Sequence, residues 1–376
     1  MKSAVILALN LLLICAGSLP GIAAPERQAE ALEDQLYSQV SAWIDAGPAY
    51  WIRPDGYIYS ADVGQLLTYT ALIGDEPRYR FLRRFAVENL IGNDPSDPYT
   101  RGMIPWRYKT GQSGDATGTA EALRIAQGLL IGWQTFPGRQ SDVDLGILIL
   151  TGYAHHQYLD QGTWLIRNYF NLQTRNFGNN SYVVDYDPDL LAQAAAVAGN
   201  AAFEDPNGDY PDLPEKQLGG VAERSASLVR RAVAPAGLLY DVVQPGITAR
   251  SAELDLAAFS PNDVVSFLNS CTVAEHSAES APEVARRVLD FANGQPGGPK
   301  KYYLGRSGEL AHPAELGLEA NACLVRLAAK LGDQAAHDRY LPVLRGQVAS
   351  FAESPYEPRL YLASEALLAL HANVVR

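Results

Sequence analysis

Apolar residues recur at three- and four-residue spacing along most of the chain, and this rhythm constrains the fold more than any other feature. Leu32, Leu36, Val40, Trp43 and Ile44 form one such stripe, which a 3.6-residue turn gathers on a single helix face. The same spacing predicts helices over 27–46, from about Ser60 onward, and over 76–91, 117–133, 141–155, 159–172 and 188–199. It continues over 217–234, 261–271, 282–293, 313–331, 334–351 and 359–373. Pro77 and Pro188 stand in first turns, where a missing amide hydrogen costs nothing. Ser141 is placed to cap the helix it opens. Strands are left to the connections, for instance Tyr182-Val183-Val184 and Tyr302-Tyr303-Leu304. The connections at 92–116, 173–187, 203–216 and 294–312 are rich in Gly, Pro, Asn and Asp, and no Pro/Ser linker divides the chain.

About twelve helices in the mature chain amount to roughly 29 residues per helix and connection, the size of six helical hairpins. The expected fold is therefore all-α, an (α/α)6 toroid with long loops and small β-hairpins, in one domain over 25–376. An open helical solenoid has the same local statistics, and only closure of the ring distinguishes the two.

Composition narrows the function. Apolar residues make up 47% of the 376, which excludes a disordered chain. Lys+Arg number 30 against 42 Asp+Glu, a net charge of -12, so a nucleic-acid partner that needs a basic face is not expected. Residues 1–24 read as a signal peptide: Lys2, an apolar run from Ala4 to Ala16, then small residues around Ala23 and Ala24. The run is too short to span a bilayer. The mature protein is expected to be secreted or periplasmic, with cell-envelope partners open to it. Cys271 and Cys323 are the two cysteines of that mature chain, and sequence leaves open a disulfide or two buried thiols.

Two segments carry chemistry. The first is Tyr57-Ile58-Tyr59-Ser60-Ala61-Asp62-Val63-Gly64-Gln65, followed by Gly74-Asp75-Glu76-Pro77. The second runs Met103-Ile104-Pro105-Trp106-Arg107-Tyr108, then Gly114-Asp115-Ala116-Thr117-Gly118-Thr119-Ala120-Glu121. In this order they resemble family 8 glycoside hydrolases, bacterial endoglucanases and chitosanases among them, over roughly residues 55–135. The resemblance implies a polysaccharide-cutting enzyme that inverts the anomeric centre. In that family a Ser-Glu pair supplies the proton donor, and an Ala-Thr-Asp-Ala-Asp segment holds substrate. Here Ser60-Ala61 is followed by Asp62, and Gly118 and Ala120 stand where the two aspartates belong.

Glycosidic hydrolysis needs one carboxylic acid to protonate the leaving oxygen and a second carboxylate to activate water or attack the sugar. The candidate catalytic acids are Asp62, Asp115 and Glu121, with Asp62 the first choice for proton donor. Each has a plainer alternative: a helix-start acid complementing the dipole, a cap, or a salt-bridged helix residue near Arg124. Tyr57, Tyr59, Trp106 and Tyr108 are candidate platforms for the C–H faces of sugars, and Arg107 a ligand for a carboxylated sugar. Asp185, Tyr186 and Asp187 form a second acidic loop that can face the same cleft, with Asp187-Pro188 also reading as a helix start. Asp205, Asn207, Asp209 and Asp212 lack the pattern of a calcium loop. No Walker loop, GxSxG elbow or HExxH pattern occurs, and neither a cofactor nor a metal is expected. A lyase, with His312 near Glu315 and Glu319 as its base, and a non-catalytic glycan-binding protein of the cell envelope are the alternative functions.

Overall fold

The computed structural model describes residues 24–92, 97, 100–112, 114–160, 162–200, 214–243, 264–351 and 359–374. The proposed leader up to Ala23 and the acidic run 205–212 lie outside them. Twelve helices occur among the described residues: α1 (Ala24–Ala46), α2 (Ser60–Leu72), α3 (Glu76–Asn89), α4 (Thr119–Thr135), α5 (Gln140–Ala154), α6 (Pro188–Asn200), α7 (Pro214–Arg231), α8 (Phe267–His276), α9 (Pro282–Asn293), α10 (Leu318–Lys330), α11 (Gln334–Phe351) and α12 (Arg359–Val374). Even-numbered helices form an inner ring. Each packs on the next, and α12 packs back on α2, so the ring closes. Odd-numbered helices form the outer layer, with α1 pairing with α12 from the opposite end of the chain. This is an (α/α)6 toroid.

Burial separates the layers. In α2, twelve residues from Ser60 to Ala71 are buried, as a helix enclosed on all sides requires. In α9, Val284, Ala285, Val288, Leu289 and Ala292 are buried on one stripe. Gly64 and Gly128 set the approach of α2 to α4: a Cβ on Gly64 would lie 2.8 Å from the Arg124 carbonyl carbon, and one on Gly128 2.6 Å from Leu67 Cβ.

The strands all lie in connections that lead from an outer helix to the next inner one. They are β1 (Ile58–Tyr59), β2 (Arg107–Tyr108), β3 (Gln157–Asp160), β4 (Thr163–Ile166), β5 (Phe170–Asn171), β6 (Asn176–Phe177), β7 (Ser181–Tyr182), β8 (Val242–Val243), β9 (Val264–Ser266), β10 (Lys300–Leu304) and β11 (Leu310–Glu315). They form four antiparallel pairs and one three-stranded sheet in the order β11-β10-β9. The end of the toroid where the inner helices begin is thereby built up. The opposite end has short turns such as Ile73–Asp75 and Leu331–Asp333.

Four expectations need correction, one of them the helix expected over 261–271, where Val264–Ser266 is strand β9 and α8 runs Phe267–His276. Residues 159–172 form no helix: Thr163, Trp164, Leu165 and Ile166 pair across from Asp160, Leu159, Tyr158 and Gln157. β-Branched and aromatic side chains suit a pleated strand, and Gly162 takes the positive φ of 82° that the hairpin turn requires. The helix expected from 313 begins at Leu318, because Pro313 belongs to the edge strand β11, where its missing donor is harmless. Ser141 is not a cap: it lies inside α5 and accepts from Arg83 Nη2 at 3.0 Å. Cys271 and Cys323, on neighbouring inner helices, are buried free thiols.

Candidate functional site

Backbone pairing first brings the two motif segments together. Ile58 pairs with Tyr108 and Tyr59 with Arg107. Ser60 Oγ donates to the Pro105 carbonyl at 2.6 Å, Trp106 N to Ala116 O at 3.2 Å, and Thr117 N to Phe170 O at 2.9 Å. Segments 57–60, 105–108, 115–119 and 168–172 thus lie side by side at the start of α2 and α4.

On this frame sit two groups of side chains. In the outer one, Asp115 accepts Trp106 Nε1 at 2.7 Å, Arg107 Nη2 at 2.9 Å and the Ala116 amide at 3.0 Å. Partial burial raises its carboxyl, but the donors from Arg107 and Trp106 outweigh it, so Asp115 titrates below the usual range. The Arg107 guanidinium stands 4.0 Å from the Tyr57 ring centre and 4.3 Å from that of Trp106. Trp106 meets Tyr59 edge-on. Tyr57, Tyr59, Trp106, Arg107 and Asp115 are therefore one cluster, with arginine covering aromatic faces. Tyr108 is half-buried and turns toward Phe85.

The inner group lies at the starts of inner helices. Arg53 grips Asp62 with both ends of its fork, Nε to Oδ2 at 3.0 Å and Nη2 to Oδ1 at 2.5 Å, while its guanidinium covers Tyr59 at 3.8 Å. Burial pushes the Asp62 carboxyl up, against the pull of Arg53 and Arg124. Glu121, three residues into α4, is half-buried. Desolvation raises its carboxyl, Arg124 opposes this, and Asp62 adds to it. Asp185 closes the short 3-10 turn Val183–Asp185 and is buried. Burial carries it up to about 7, with Thr119 and the Tyr182 amide opposing and the Glu121 charge adding. Asp62, Glu121 and Asp185 thus form a row of mutually interacting acids. The Arg124 guanidinium stands 5.6 Å from the ring centre of Tyr361 on α12, and the neighbouring Tyr361, Glu365 and Glu121 outweigh its burial and hold it cationic.

A cleft of about 460 Å³ opens over Glu121 and Asp185, and Trp106, Asp115, Gly118 and Tyr169 line it with them. The other loop residues stand elsewhere. Tyr186 is 1% exposed, and within the core its hydroxyl accepts the Ile166 amide at 2.8 Å and shares a hydrogen bond with Ser181 Oγ at 2.7 Å. Asp187 accepts the Leu190 amide at 2.9 Å as the cap of α6, and its other oxygen lies 3.6 Å from His276 Nδ1. His312 is exposed on β11. Among the described residues, no cluster of His, Cys, Asp and Glu suits a metal. No helix among them is long and apolar enough to cross a membrane.

Sequence reasoning named the acids but not Arg53, Thr119 or Tyr361. Arg53 lies outside any periodic stripe, and Tyr361 meets Arg124 only because the ring closes.

No family model and no curated protein sequence matches the chain. Solved structures do. A novel alpha-amylase from Clostridium perfringens superimposes with a TM-score of 0.63 at 15% identity, over 84% of this chain and 87% of that one. The endo-beta-1,4-glucanase CMCax from Acetobacter xylinum gives 0.60 at 17% identity, over 92% and 98%. Rex8A from Paenibacillus barcinonensis, solved with xylose, gives 0.61 at 14%, over 93% and 94%. The chain shares its fold with these glycosidases.

Proposed function

We propose that the protein is an exported glycoside hydrolase that cuts a polysaccharide internally with inversion, using Glu121 and Asp185 as its acid–base pair. One observation carries this reading: Glu121 and Asp185 line the same cleft, beside Asp115, and burial carries the Asp185 carboxyl up to about 7. A buried acid protonated at neutral pH can protonate a glycosidic oxygen. Burial raises the Glu121 carboxyl, with Arg124 opposing, and a raised carboxyl is the stronger base for taking a proton from water. In the reaction, water oxygen bonds to the anomeric carbon as its proton passes to Glu121. The anomeric C–O bond breaks, and the departing oxygen takes the proton of Asp185. Solvent then restores both acids, and one water has been added per cut.

The other candidate acids receive supporting roles. Asp62 has both oxygens on Arg53, so we assign it to fixing Arg53 and raising Glu121. Asp115 holds Trp106 and Arg107 at the cleft wall. The structural neighbours, which include a beta-1,4-glucanase, an alpha-amylase and a xylose complex, support a neutral glycan and leave the linkage open.

The test is mass spectrometry of products from neutral and uronate-containing polysaccharides, with wild type, E121Q and D185N. Products heavier by one water per cut, lost in both variants, support the reading. Unsaturated ends would establish a lyase instead, and full turnover by either variant would remove that residue from the pair. The N-terminus of the mature protein, expected near Pro25, tests export.

A further inference from the structure

The cleft is not the largest cavity. At the opposite end of the toroid, where inner helices finish, a cavity of about 910 Å³ opens between α1, α2, α4, α8, α10 and α12. Arg124 belongs to its wall and also neighbours Glu121, so the two cavities lie back to back.

Three of the four carboxylates around this cavity are paired. Arg326 Nε reaches both Glu275 oxygens at 2.9 and 3.1 Å, and Nη1 stands 2.7 Å from Glu365. Gln65 bridges Glu365 and the Ser364 hydroxyl. Glu33 is held by Tyr69 at 2.8 Å and His371 at 3.0 Å. Lys330 Nζ donates to the carbonyl of Glu275 at 2.9 Å. Carboxylates paired in this way are poor ligands for a cation, and the carbonyl ends of the inner helices disfavour an anion. Asp34, exposed on α1, also lines the cavity, and beside these charges its wall carries uncharged polar groups. Gln127 and Thr272 have no side-chain partner among the described residues. Beside them Leu72, Ile131 and Leu368 give apolar surface. Amide and hydroxyl groups next to aliphatic surface match the hydroxyls and C–H faces of a sugar.

We propose that this far cavity is a second, non-catalytic site for a neutral oligosaccharide, with Gln127 and Thr272 as its polar contacts. The proposal rests on the glycan reading for the chemistry of its ligand and on no step of catalysis.

The experiment uses full-length mature protein carrying E121Q, to suppress turnover, and titrates xylotriose, cellotriose and maltotriose while following the methyl signals of Leu72, Ile131 and Leu368. Saturable shifts at these methyls are expected with at least one sugar. Q127A/T272V should weaken that binding at least tenfold, Q127W should abolish it by filling the space, and W106A in the cleft should leave it within twofold. Shifts confined to the cleft, binding indifferent to Q127A/T272V and Q127W, or no methyl shift with any of the three sugars overturns the proposal. Turnover by E121Q is measured separately, so failure of the catalytic assignment is distinguishable from failure of this one.

Discussion

Replacing Asp185 by Asn should make the protein more stable and inactive at once. Buried Asp185 titrates near 7, whereas an unfolded aspartate titrates near 3.9. Below about pH 4 both states hold the proton. Between about 4 and 7 the unfolded chain has released it and the folded one has not, so the folded state binds more protons and stability falls as pH rises. Above about 7 the loss is complete. A displacement of about three units corresponds to a cost of the order of 4 kcal/mol at pH 8. Asn stays neutral, accepts the Tyr182 amide that Asp185 now takes at 3.1 Å, and escapes the cost. D185N should match wild type in urea unfolding at pH 4 and exceed it by about 2–4 kcal/mol at pH 8. Polysaccharide cleavage should fall at least about a hundredfold, the least a missing general acid costs. Parallel stability–pH curves for the two proteins would refute the burial argument, and full activity in D185N would refute the catalytic one.

Three other substitutions probe the same row of acids. D62N leaves Arg53 without its bidentate partner beside a buried site, and should lower stability by about 2–3 kcal/mol in urea unfolding, short of a fully buried pair because Arg53 reaches solvent. R124M removes the cation that opposes burial of Glu121, so the Glu121 carboxyl should titrate higher in a carbon-13 carboxyl NMR titration, with R124K restoring most of the shift. G118A places a Cβ inside the contact radius of Glu121 Oε2 and 2.7 Å from Glu121 Cδ. The carboxylate must rotate away, at a stability cost of about 1 kcal/mol, while turnover falls on the order of a hundredfold from misplacement alone.

The toroid was legible because its inner and outer helices bury different widths of surface, and both widths repeat at the helical period. The starts of α3 and α6 follow from local chemistry: Asp75 before Pro77 and Asp187 before Pro188 cap as their types predict. The hairpins between α5 and α6 were not legible, since a four-residue apolar run such as Thr163–Ile166 has no length over which helix and strand periods diverge. In the site, the acids stood out because helix starts are where acids are noticed. Their ionisation did not, because it depends on partners joined by ring closure. Gln65 and Glu365 meet although 300 residues separate them, and Arg124 meets Tyr361 across the same seam. The aromatic residues were read for their faces, and arginines at positions 53 and 107 turned out to cover them.

The departure at Gly118 from the Ala-Thr-Asp-Ala-Asp pattern has a geometric explanation that makes a final prediction. A side chain at 118 would point where the Glu121 carboxylate now lies, since a Cβ there collides with it and stands 3.1 Å from Trp106 Cβ. The same wall of the cleft therefore presents a carboxylate either from position 118 or from one helical turn later, and the two are mutually exclusive in space. Glycine at 118 is then a consequence of Glu121, not the loss of an acid; its φ of -131° needs no glycine. G118D alone should crowd two carboxylates, disfavour ionisation of both, and depress activity. E121A alone should abolish cleavage. G118D/E121A brings one carboxylate back to the vacated volume and should recover activity at least tenfold over E121A, assayed on whichever polysaccharide wild type cleaves. A double variant no more active than E121A, yet folded by its unfolding curve, would show that the two positions do not present their carboxylates to the same reacting atoms.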